Sequence, residues 1–175
     1  MIDSLSLFSV DIHKITLSDW SVVKDNILSL VPFENKEYSE DTIKYTDYSR
    51  KDMELPYIPP LIQFFTPHIQ QFAKVSQYKF SKIDWIWCQK YLNSDHHMPH
   101  NHGSIGYSCV FYANLTEEQE STVFVSPFIN VNGNYDSGSV PVSEGDLIFF
   151  PSNLLHFASP NKTNEERIIF SFNLK

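Results

Sequence analysis

Closely spaced histidines make the segment from His96 to His102 the strongest candidate for chemistry in the sequence. Four of the seven histidines lie in this segment, and His100 and His102 form an H-x-H pair. If the pair begins a strand, both imidazoles project to the same side of the backbone and can bind one ion. His156 is the candidate third ligand, because an apolar strand and a turn precede it and it begins the next predicted strand. The sequence therefore predicts a mononuclear metal site made by His100, His102 and His156.

The other histidines are interpreted differently. His96 and His97 precede the predicted strand, so we expect them to be solvated or to line the entrance of the site. His13 and His68 fall in a predicted strand and a predicted helix, and we interpret them as structural.

The identity of the third ligand and of the metal stays open at this point. Asp95 or Asp146 could supply a carboxylate in place of His102. Imidazole ligands suit iron, zinc, copper and nickel, so ligand type alone does not identify the ion. Three neutral ligands leave the site more positive than a triad with a carboxylate. This favours binding of a dianion but also improves the fit to zinc.

Arg167 heads the last predicted strand, downstream of His156. A guanidinium group can make two parallel, charge-assisted hydrogen bonds with a carboxylate. If its side chain points towards the metal site, Arg167 suggests an anionic cosubstrate. The alternative is an ion pair with Glu165 or Glu166, although exposed pairs of this kind contribute little.

Together these motifs resemble the Fe(II)/2-oxoglutarate-dependent dioxygenase superfamily, and within it a branch of small, often bacterial or phage-encoded members with an H-x-H motif. The resemblance covers about residues 83–174. The matching segments are Trp87, His100–His102, Ser108–Tyr112, a strand ending near Pro127, Gly145–Ser152, His156, Arg167 and Ser171–Asn173. Two positions depart from the usual patterns: His102 stands where most of the superfamily has Asp or Glu, and Cys109 replaces a glycine of the branch.

The resemblance implies a double-stranded β-helix core, Fe(II) as the metal and 2-oxoglutarate as the cosubstrate. It implies that Arg167 anchors 2-oxoglutarate, with help from Tyr91, Ser108 or Tyr112. Asn173 and Trp87 are then candidates for the substrate pocket.

An enzyme of this kind would use O2 and 2-oxoglutarate to hydroxylate a small molecule or a protein side chain. One alternative is a cupin-like metalloenzyme with three histidines that does not use 2-oxoglutarate, such as a thiol dioxygenase or an isomerase. Another is a jelly-roll binding module without catalytic activity.

The elements that must position these residues change character along the chain. Residues Leu5 to Thr16 predict a strand, and Ser18 begins a predicted amphipathic helix that runs towards Pro32. A second helix is predicted from Thr66–Pro67, with an earlier start at Pro59–Pro60 as the alternative. The segment from Glu34 to Leu55 is interpreted as an irregular excursion, or as a lid over the site.

After Lys79 the pattern is that of strands. The predicted strands are Ile83–Tyr91, Ile105–Ala113, Thr122–Val125, Val140–Val142, Asp146–Phe150, Leu155–Ala158 and Arg167–Phe172. The fold class predicted is mainly β with N-terminal helices and a jelly-roll, cupin-like core. We expect one domain over residues 1–175, with helical support over about 1–80 and the β-helix over about 81–175.

Composition limits the partners. The net charge of −8 and the presence of only two arginines argue against binding of duplex nucleic acid. No apolar run reaches the roughly 20 residues of a membrane-spanning helix, and the first residues lack the pattern of a secretory signal. We therefore expect no membrane association and a cytoplasmic location. Cys88 and Cys109 lie in apolar strand segments and are predicted to be buried free thiols.

Overall fold

The computed structural model describes residues 8–35, 40, 42–50, 54–80 and 82–175. In this part of the chain there are two α-helices, α1 (Trp20–Leu28) and α2 (Ile58–Ser76). The ten strands are β1 (His13–Thr16), β2 (Tyr45–Thr46), β3 (Ile83–Tyr91), β4 (His97–His100), β5 (Tyr107–Asn114), β6 (Thr122–Ile129), β7 (Tyr135–Ser139), β8 (Asp146–Pro151), β9 (His156–Ala158) and β10 (Arg167–Leu174).

Two antiparallel sheets form the β core. One has six strands in the order β1-β8-β5-β10-β3-β2, and the other has four in the order β4-β9-β6-β7. Tyr112 and Phe150 from the larger sheet share one apolar cluster with Phe124 from the smaller sheet. Two antiparallel sheets packed in this way, with strands that cross over in sequence order, make a jelly roll. The predicted fold class is confirmed.

Strand β10 contributes side chains to two apolar clusters, one on each face of the larger sheet. Phe170 and Phe172 pack in the cluster that also contains the helices, whereas Ile169 belongs to the cluster between the sheets. Because side chains alternate across a strand, Arg167 and Ser171 share the inner face with Ile169.

The two helices cover the outer face of the six-stranded sheet. In α1, Trp20 donates its indole N–H to the Ala113 carbonyl at 2.9 Å and packs edge-on against Phe111. In α2, Phe72 stacks on Phe149 with ring centroids 4.1 Å apart. Aromatic side chains of the two helices therefore hold them in place on the outer face of this sheet.

The second helix begins earlier than Thr66–Pro67 and follows the alternative start at Pro59–Pro60. It begins at Ile58, with Pro59 and Pro60 in its first turn, where a missing N–H has no consequence for helical hydrogen bonding. Thr66–Pro67 lies inside the helix because the apolar face continues through it, with Phe65 fully buried. Tertiary packing thus outweighs the local signal of a helix start.

Three details of the predicted strands also differ. The predicted strand at Val140–Val142 is wrong, because Pro141 cannot donate to a ladder and β7 ends before it. Strands β2, β4 and β7 are not among the predicted strands. Of the predicted strand Leu5–Thr16, only His13–Thr16 is a strand in the structure, and residues 5–7 lie outside the described part of the chain.

The remaining expectations concern the two cysteines and the irregular segment from Glu34 to Leu55. Cys88 and Cys109 are buried free thiols, as predicted. In the excursion, the described residues form the short strand β2 and an isolated bridge between Glu40 and Ile43. The described helices include none that is both long and apolar enough to span a membrane.

Candidate metal centre and adjoining cavities

The side chains of His100, His102 and His156 come together. Strand β4 pairs with β9 so that His100 lies opposite His156. The backbone N–H of His102 donates to the Ser152 carbonyl at 2.8 Å, which holds the segment after β4 close to the end of β8. One potential ligand atom from each histidine lies within 4.8 Å of the other two.

The sequence pattern suggested that the H-x-H pair begins a strand, but in the structure it does not. His100 ends β4, and His102 lies in the loop that follows, where Gly103 adopts a φ of 105°. A left-handed backbone at Gly103 ends the extended conformation. The imidazoles nevertheless lie on one side, with ring centroids 5.1 Å apart.

Hydrogen bonds fix the same tautomer in all three rings. The Nδ1 atoms of His100 and His156 lie 2.8 and 2.9 Å from the carbonyl oxygens of Met98 and Leu154. The Nδ1 atom of His102 lies 2.8 Å from the side-chain oxygen of Asn173. Because these oxygens only accept, each Nδ1 carries the proton and each Nε2 keeps its lone pair. Three Nε2 lone pairs are therefore available for an ion, which is the usual arrangement of metal-binding histidines.

The protonation state of the rings also suits a metal. Burial, with a smaller contribution from His100, lowers the pKa of His156 to about 3. Burial likewise lowers the pKa of His100. Both rings are neutral at physiological pH, and a neutral imidazole is the form that binds metals. Ligand atoms about 2.1 Å from one ion are at most roughly 4 Å apart, so a small side-chain movement closes this set around a metal.

A layer of polar and aromatic groups supports His102. Ser108 Oγ lies 3.0 Å from His102 Nδ1 and 2.9 Å from the Asn173 side-chain oxygen. The indole ring of Trp87 packs beside His102 with centroids 5.5 Å apart. The structure thus brings Ser108 and Asn173 to the metal ligands. Such contacts orient a ligand and tune its basicity.

The two carboxylates considered as alternative ligands lie elsewhere. Asp95 accepts hydrogen bonds from the backbone of Leu92 and Lys44. Asp146 accepts from Thr16 at 2.6 Å in the β1–β8 pair. Among the described residues, the only cluster with metal-ligating geometry consists of the three histidines.

His97 lies beside the three histidines. Its position in the sequence suggested that it would be solvated or would line the entrance of the site. Its ring centroid is 4.2 Å from that of His100. In a regular strand, residues three positions apart face opposite sides, but the β4–β9 register shifts between His97 and His100. Burial lowers the pKa of His97 to about 4, and the nearby His100 adds to this effect. His97 is therefore a neutral ring at the site that reasoning from the sequence did not identify.

Arg167 is buried and has no anionic partner in the described part of the chain. Only 2% of it is exposed. Its two terminal nitrogens donate to the carbonyls of Glu120 and Ser159 at 3.0 and 2.8 Å, and its guanidinium lies 4.5 Å from the Tyr91 ring centre. No salt bridge joins it to a described carboxylate, and the alternative partner Glu166 pairs with Lys90 instead.

The two candidate tyrosines have different surroundings. The buried hydroxyl of Tyr91 has no hydrogen-bond partner among the described residues. Burial raises the pKa of Tyr91, so the hydroxyl keeps its proton and remains a donor. In contrast, Tyr112 donates to the Thr122 hydroxyl at 2.9 Å and accepts from the Thr122 backbone N–H at 3.1 Å. Tyr91 thus offers a hydroxyl that requires an acceptor, whereas the Tyr112 hydroxyl is already engaged.

Two cavities meet at the histidines. The larger has a volume of about 510 Å³, and its walls include Glu40, Tyr48, Asp84, Trp85, Asn101 and Lys175. The inner one, between the sheets, has about 20 Å³ and is lined by Tyr91, Thr122, Ile169 and Ser171 among others. Both are bordered by Trp87, Gln89, His97, His100 and His102. The inner space holds about one water molecule, so a larger ligand requires side chains there to move.

Trp85 is a strained residue in the wall of the larger cavity. Phe172 pairs with Ile86 and Asn173 with Asp84, which leaves Trp85 as an extra residue in β3. Its φ is 53°, a conformation that is an outlier for a bulky side chain. Its buried indole N–H has no acceptor among the described residues. Strain of this kind concentrates at functional sites, and the sequence carries no signal for this bulge.

The fold is a jelly roll, and it brings three histidines into an arrangement that could hold a metal ion. A family model described as "Putative 2OG-Fe(II) oxygenase" matches residues 85–173, which contain all three histidines and Arg167. The chain belongs to this family. The comparison with curated proteins finds no match.

Solved structures share the fold at low sequence identity. A prolyl-4-hydroxylase from Pseudomonas putida superposes with a TM-score of 0.60 and 10% identity, over 94% of this chain and 91% of that one. A viral collagen prolyl hydroxylase from Paramecium bursaria Chlorella virus-1, solved with 2-oxoglutarate, gives 0.62 and 13%, over 93% and 94%. The α-ketoglutarate-dependent epimerase of nogalamycin biosynthesis gives 0.67 and 13%, over 94% and 77%.

Membership of the family settles the general activity. The protein is an oxygenase that uses Fe(II), 2-oxoglutarate and O2. The resemblance seen in the sequence is thereby confirmed, and so are the predicted cofactors.

Proposed function

We propose that His100, His102 and His156 hold the Fe(II), and that Arg167 with Tyr91 holds the distal carboxylate of 2-oxoglutarate. The observation that carries this proposal is the burial of Arg167 without a described carboxylate partner. A buried charge without a counter-ion is costly, so its retention in an enzyme of this family indicates an anionic ligand.

The position of Arg167 supports the same role. It lies on the inner face of β10, the face that also carries Ser171 and Asn173. Ser171 lines the inner cavity, and Asn173 contacts the ligand His102. The inner face of β10 therefore carries both the Arg167 guanidinium and the residues next to the proposed metal centre.

Tyr91 supplies the second donor. It pairs with Arg167 across the β3–β10 ladder, and its ring lies against the guanidinium. Its hydroxyl requires an acceptor, which a carboxylate oxygen provides. Tyr112 and Ser108 then act indirectly, since Tyr112 fixes Thr122 in the inner cavity and Ser108 fixes Asn173 beside His102.

In an enzyme of this family, iron and 2-oxoglutarate together supply the oxidising power for hydroxylation, with succinate formed from the cosubstrate. The protein's residues bind and orient the reactants and exclude water. The three Nδ1 hydrogen bonds hold the imidazoles with their lone pairs towards one point. Trp87, which is 3% exposed, walls off the His102 side of the centre.

The substrate is proposed to enter the cavity of about 510 Å³, which is large enough for a small molecule or a protein side chain. Asn173 and Trp87 border this cavity next to the metal ligands. The net charge of −8 supports a substrate other than duplex nucleic acid. We further propose that residues 1–175 act as one domain. The free thiols Cys88 and Cys109 support a cytoplasmic location.

The test of the anchor is an anaerobic titration of the Fe(II) protein with 2-oxoglutarate, following the visible band produced by chelation. Arg167→Ala leaves the distal carboxylate unpaired, a loss on the order of 2–5 kcal/mol. The affinity should fall by roughly 30-fold or more, while iron stays bound. Arg167→Lys should recover only part of the loss, because an ammonium lacks the planar fork.

Lys90→Ala is the matched control, since it removes a cation from β3 that pairs with Glu166. It should leave the affinity unchanged. Unchanged affinity in a folded, iron-loaded Arg167→Ala protein would refute the anchor. A wild-type protein that binds no 2-oxoglutarate would refute the function as a whole and favour the three-histidine cupin alternative.

The metal ligands are tested by iron content. His100→Ala and His156→Ala should each lose most of the bound iron, because each removes one of three ligands. His96→Ala is the control, since its Nδ1 contacts the Ser94 carbonyl and it does not line either cavity. Loss of iron from the His96 variant with retention in the His100 variant would show that the ligands are assigned wrongly.

A further inference from the structure

The hydrogen bond between Gln89 and His97 sets His97 apart from the three proposed ligands. Gln89 Nε2 lies 3.2 Å from His97 Nδ1. An amide nitrogen only donates, so His97 Nδ1 accepts and the ring proton is on Nε2. This is the opposite tautomer to that of His100, His102 and His156, whose Nδ1 atoms face acceptors. His97 therefore presents a donor where its neighbours present lone pairs.

The location of His97 gives this donor a role. His97 and Gln89 border both cavities, so they lie at the boundary between the inner space and the larger one. The shift in the β4–β9 register turns His97 towards His100, with ring centroids 4.2 Å apart. Among the described residues, no protein acceptor lies within hydrogen-bonding distance of His97 Nε2. The N–H is thus available to a ligand that reaches the metal centre.

We propose that His97 binds the cosubstrate, donating its Nε2–H to the carboxylate of 2-oxoglutarate that lies next to the keto group, and that Gln89 is the positioning residue that fixes its tautomer. This inference rests on the proposed function, in which Arg167 holds the far carboxylate and leaves the keto-acid end at the histidines. Of the groups on 2-oxoglutarate, a carboxylate oxygen is the strongest acceptor for a neutral N–H.

The competing assignment makes His97 a fourth metal ligand. That role requires a lone pair on Nε2 and hence a proton on Nδ1, which the Gln89 amide N–H opposes. Gln89→Glu reverses the preference, because a carboxylate accepts from Nδ1–H. The two assignments therefore predict different behaviour for the same substitution.

The first experiment measures binding without turnover. Fe(II)-loaded variants are titrated anaerobically with 2-oxoglutarate, and iron content is measured in parallel. His97→Ala should retain iron and lose about tenfold or more in affinity, which is typical of a hydrogen bond to a charged group. His97→Gln should recover part of the loss, because its amide places a donor near the position of Nε2. His96→Ala, the adjacent histidine, should match the wild type.

The second experiment reads the tautomers directly, by nitrogen NMR of the metal-free protein labelled at histidine. Wild-type His97 should carry its proton on Nε2, and the three proposed ligands should carry theirs on Nδ1. Gln89→Glu should move the His97 proton to Nδ1 and weaken 2-oxoglutarate binding to a similar extent as His97→Ala. This readout does not depend on the His97→Ala variant folding.

The outcomes separate the two proposals. If the wild type binds 2-oxoglutarate and His97→Ala and His97→Gln both bind it equally well, the role of His97 is refuted while the proposed function stands. Loss of iron from His97→Ala, or a wild-type His97 protonated on Nδ1, would also refute it. If the wild type does not bind 2-oxoglutarate, both proposals fail together.

Discussion

The two faces of the six-stranded sheet are built from alternate residues of the same strands but differ in chemistry. On the outer face, Phe170 and Phe172 of β10 pack against the helices with other apolar side chains. On the inner face, Arg167 and Ser171 of the same strand are polar and yet buried. The outer face gains free energy from removal of apolar surface from water. The inner face carries buried polar groups, among them Arg167, which is proposed to hold the cosubstrate.

Strands β5 and β3 also place apolar residues on the outer face and polar residues on the inner face. In β5, Phe111 belongs to the outer cluster, whereas Ser108 supports a metal ligand. In β3, Cys88 is outward, whereas Gln89 and Tyr91 face the inner cavity. The helices therefore allow one sheet to be buried on both sides, so that stability and chemistry can be changed separately. The following predictions test that separation.

The largest effect is expected on the outer face. Phe170→Ala removes a fully buried ring that packs against Tyr57 and should lower the free energy of unfolding by about 3–5 kcal/mol. Urea denaturation followed by circular dichroism measures the change. Iron bound per folded molecule should stay the same, and a loss of iron from protein that is still folded would contradict the division between the faces.

A smaller effect concerns pH and the inner face. The pKa values of His156 and His97 are lowered by burial to about 3 and about 4, whereas in the unfolded chain they are near 6.5. Between these values the unfolded state binds protons that the folded state does not, so stability falls as the pH falls. The metal-free protein should lose on the order of 3 kcal/mol between pH 6.5 and 5.

Urea midpoints at several pH values measure this loss. His156→Phe, which removes one of the two titrating groups, should flatten the dependence, whereas a variant of an outer residue such as Phe170→Leu should not. An equally steep dependence in the His156 variant would assign the effect to other groups.

The smallest effect is expected for Ser171→Ala. Ser171 is the neighbour of Phe170 but faces the inner cavity, where its hydroxyl is not part of the apolar packing. The substitution deletes one oxygen without opening an apolar cavity, so the free energy of unfolding should change by less than about 1 kcal/mol. Thermal denaturation of the two single variants gives the comparison directly. A Ser171 variant as unstable as Phe170→Ala would show that both faces contribute equally to stability.

Much of the fold was predictable because the strands of the second half are short, apolar and separated by turn residues. At the start of α2, tertiary packing decides between the two predicted starts, because the buried Phe65 carries the helix through Pro67 and the start near Pro59–Pro60 is the one observed. The strand predicted at Val140–Val142 is wrong. The two valines suggest a strand, but Pro141 between them lacks the N–H that pairing requires, and β7 ends before it.

The three proposed metal ligands were predictable from an H-x-H pair and a histidine at the start of a later strand. The assumed strand alternation was not the reason that their rings meet, because His102 lies in the loop after β4. The position of His97 was not predictable, because simple alternation places it on the opposite side from His100 and only the shift in register turns it inwards. The bulge in β3, in which Trp85 is the extra residue, was not predicted for a similar reason. Bulges depend on pairing with distant strands, which a local pattern does not contain.

The placement of β4 has a consequence for the folding of this part of the molecule. It is the edge strand of the smaller sheet, short and paired only with β9. An ion bound by His100 and His156 would connect β4 to β9, and because the unfolded chain has no preformed site, its binding would stabilise the folded arrangement. Because β4 also carries His97, an ion at the proposed site would also hold in place the boundary between the two cavities.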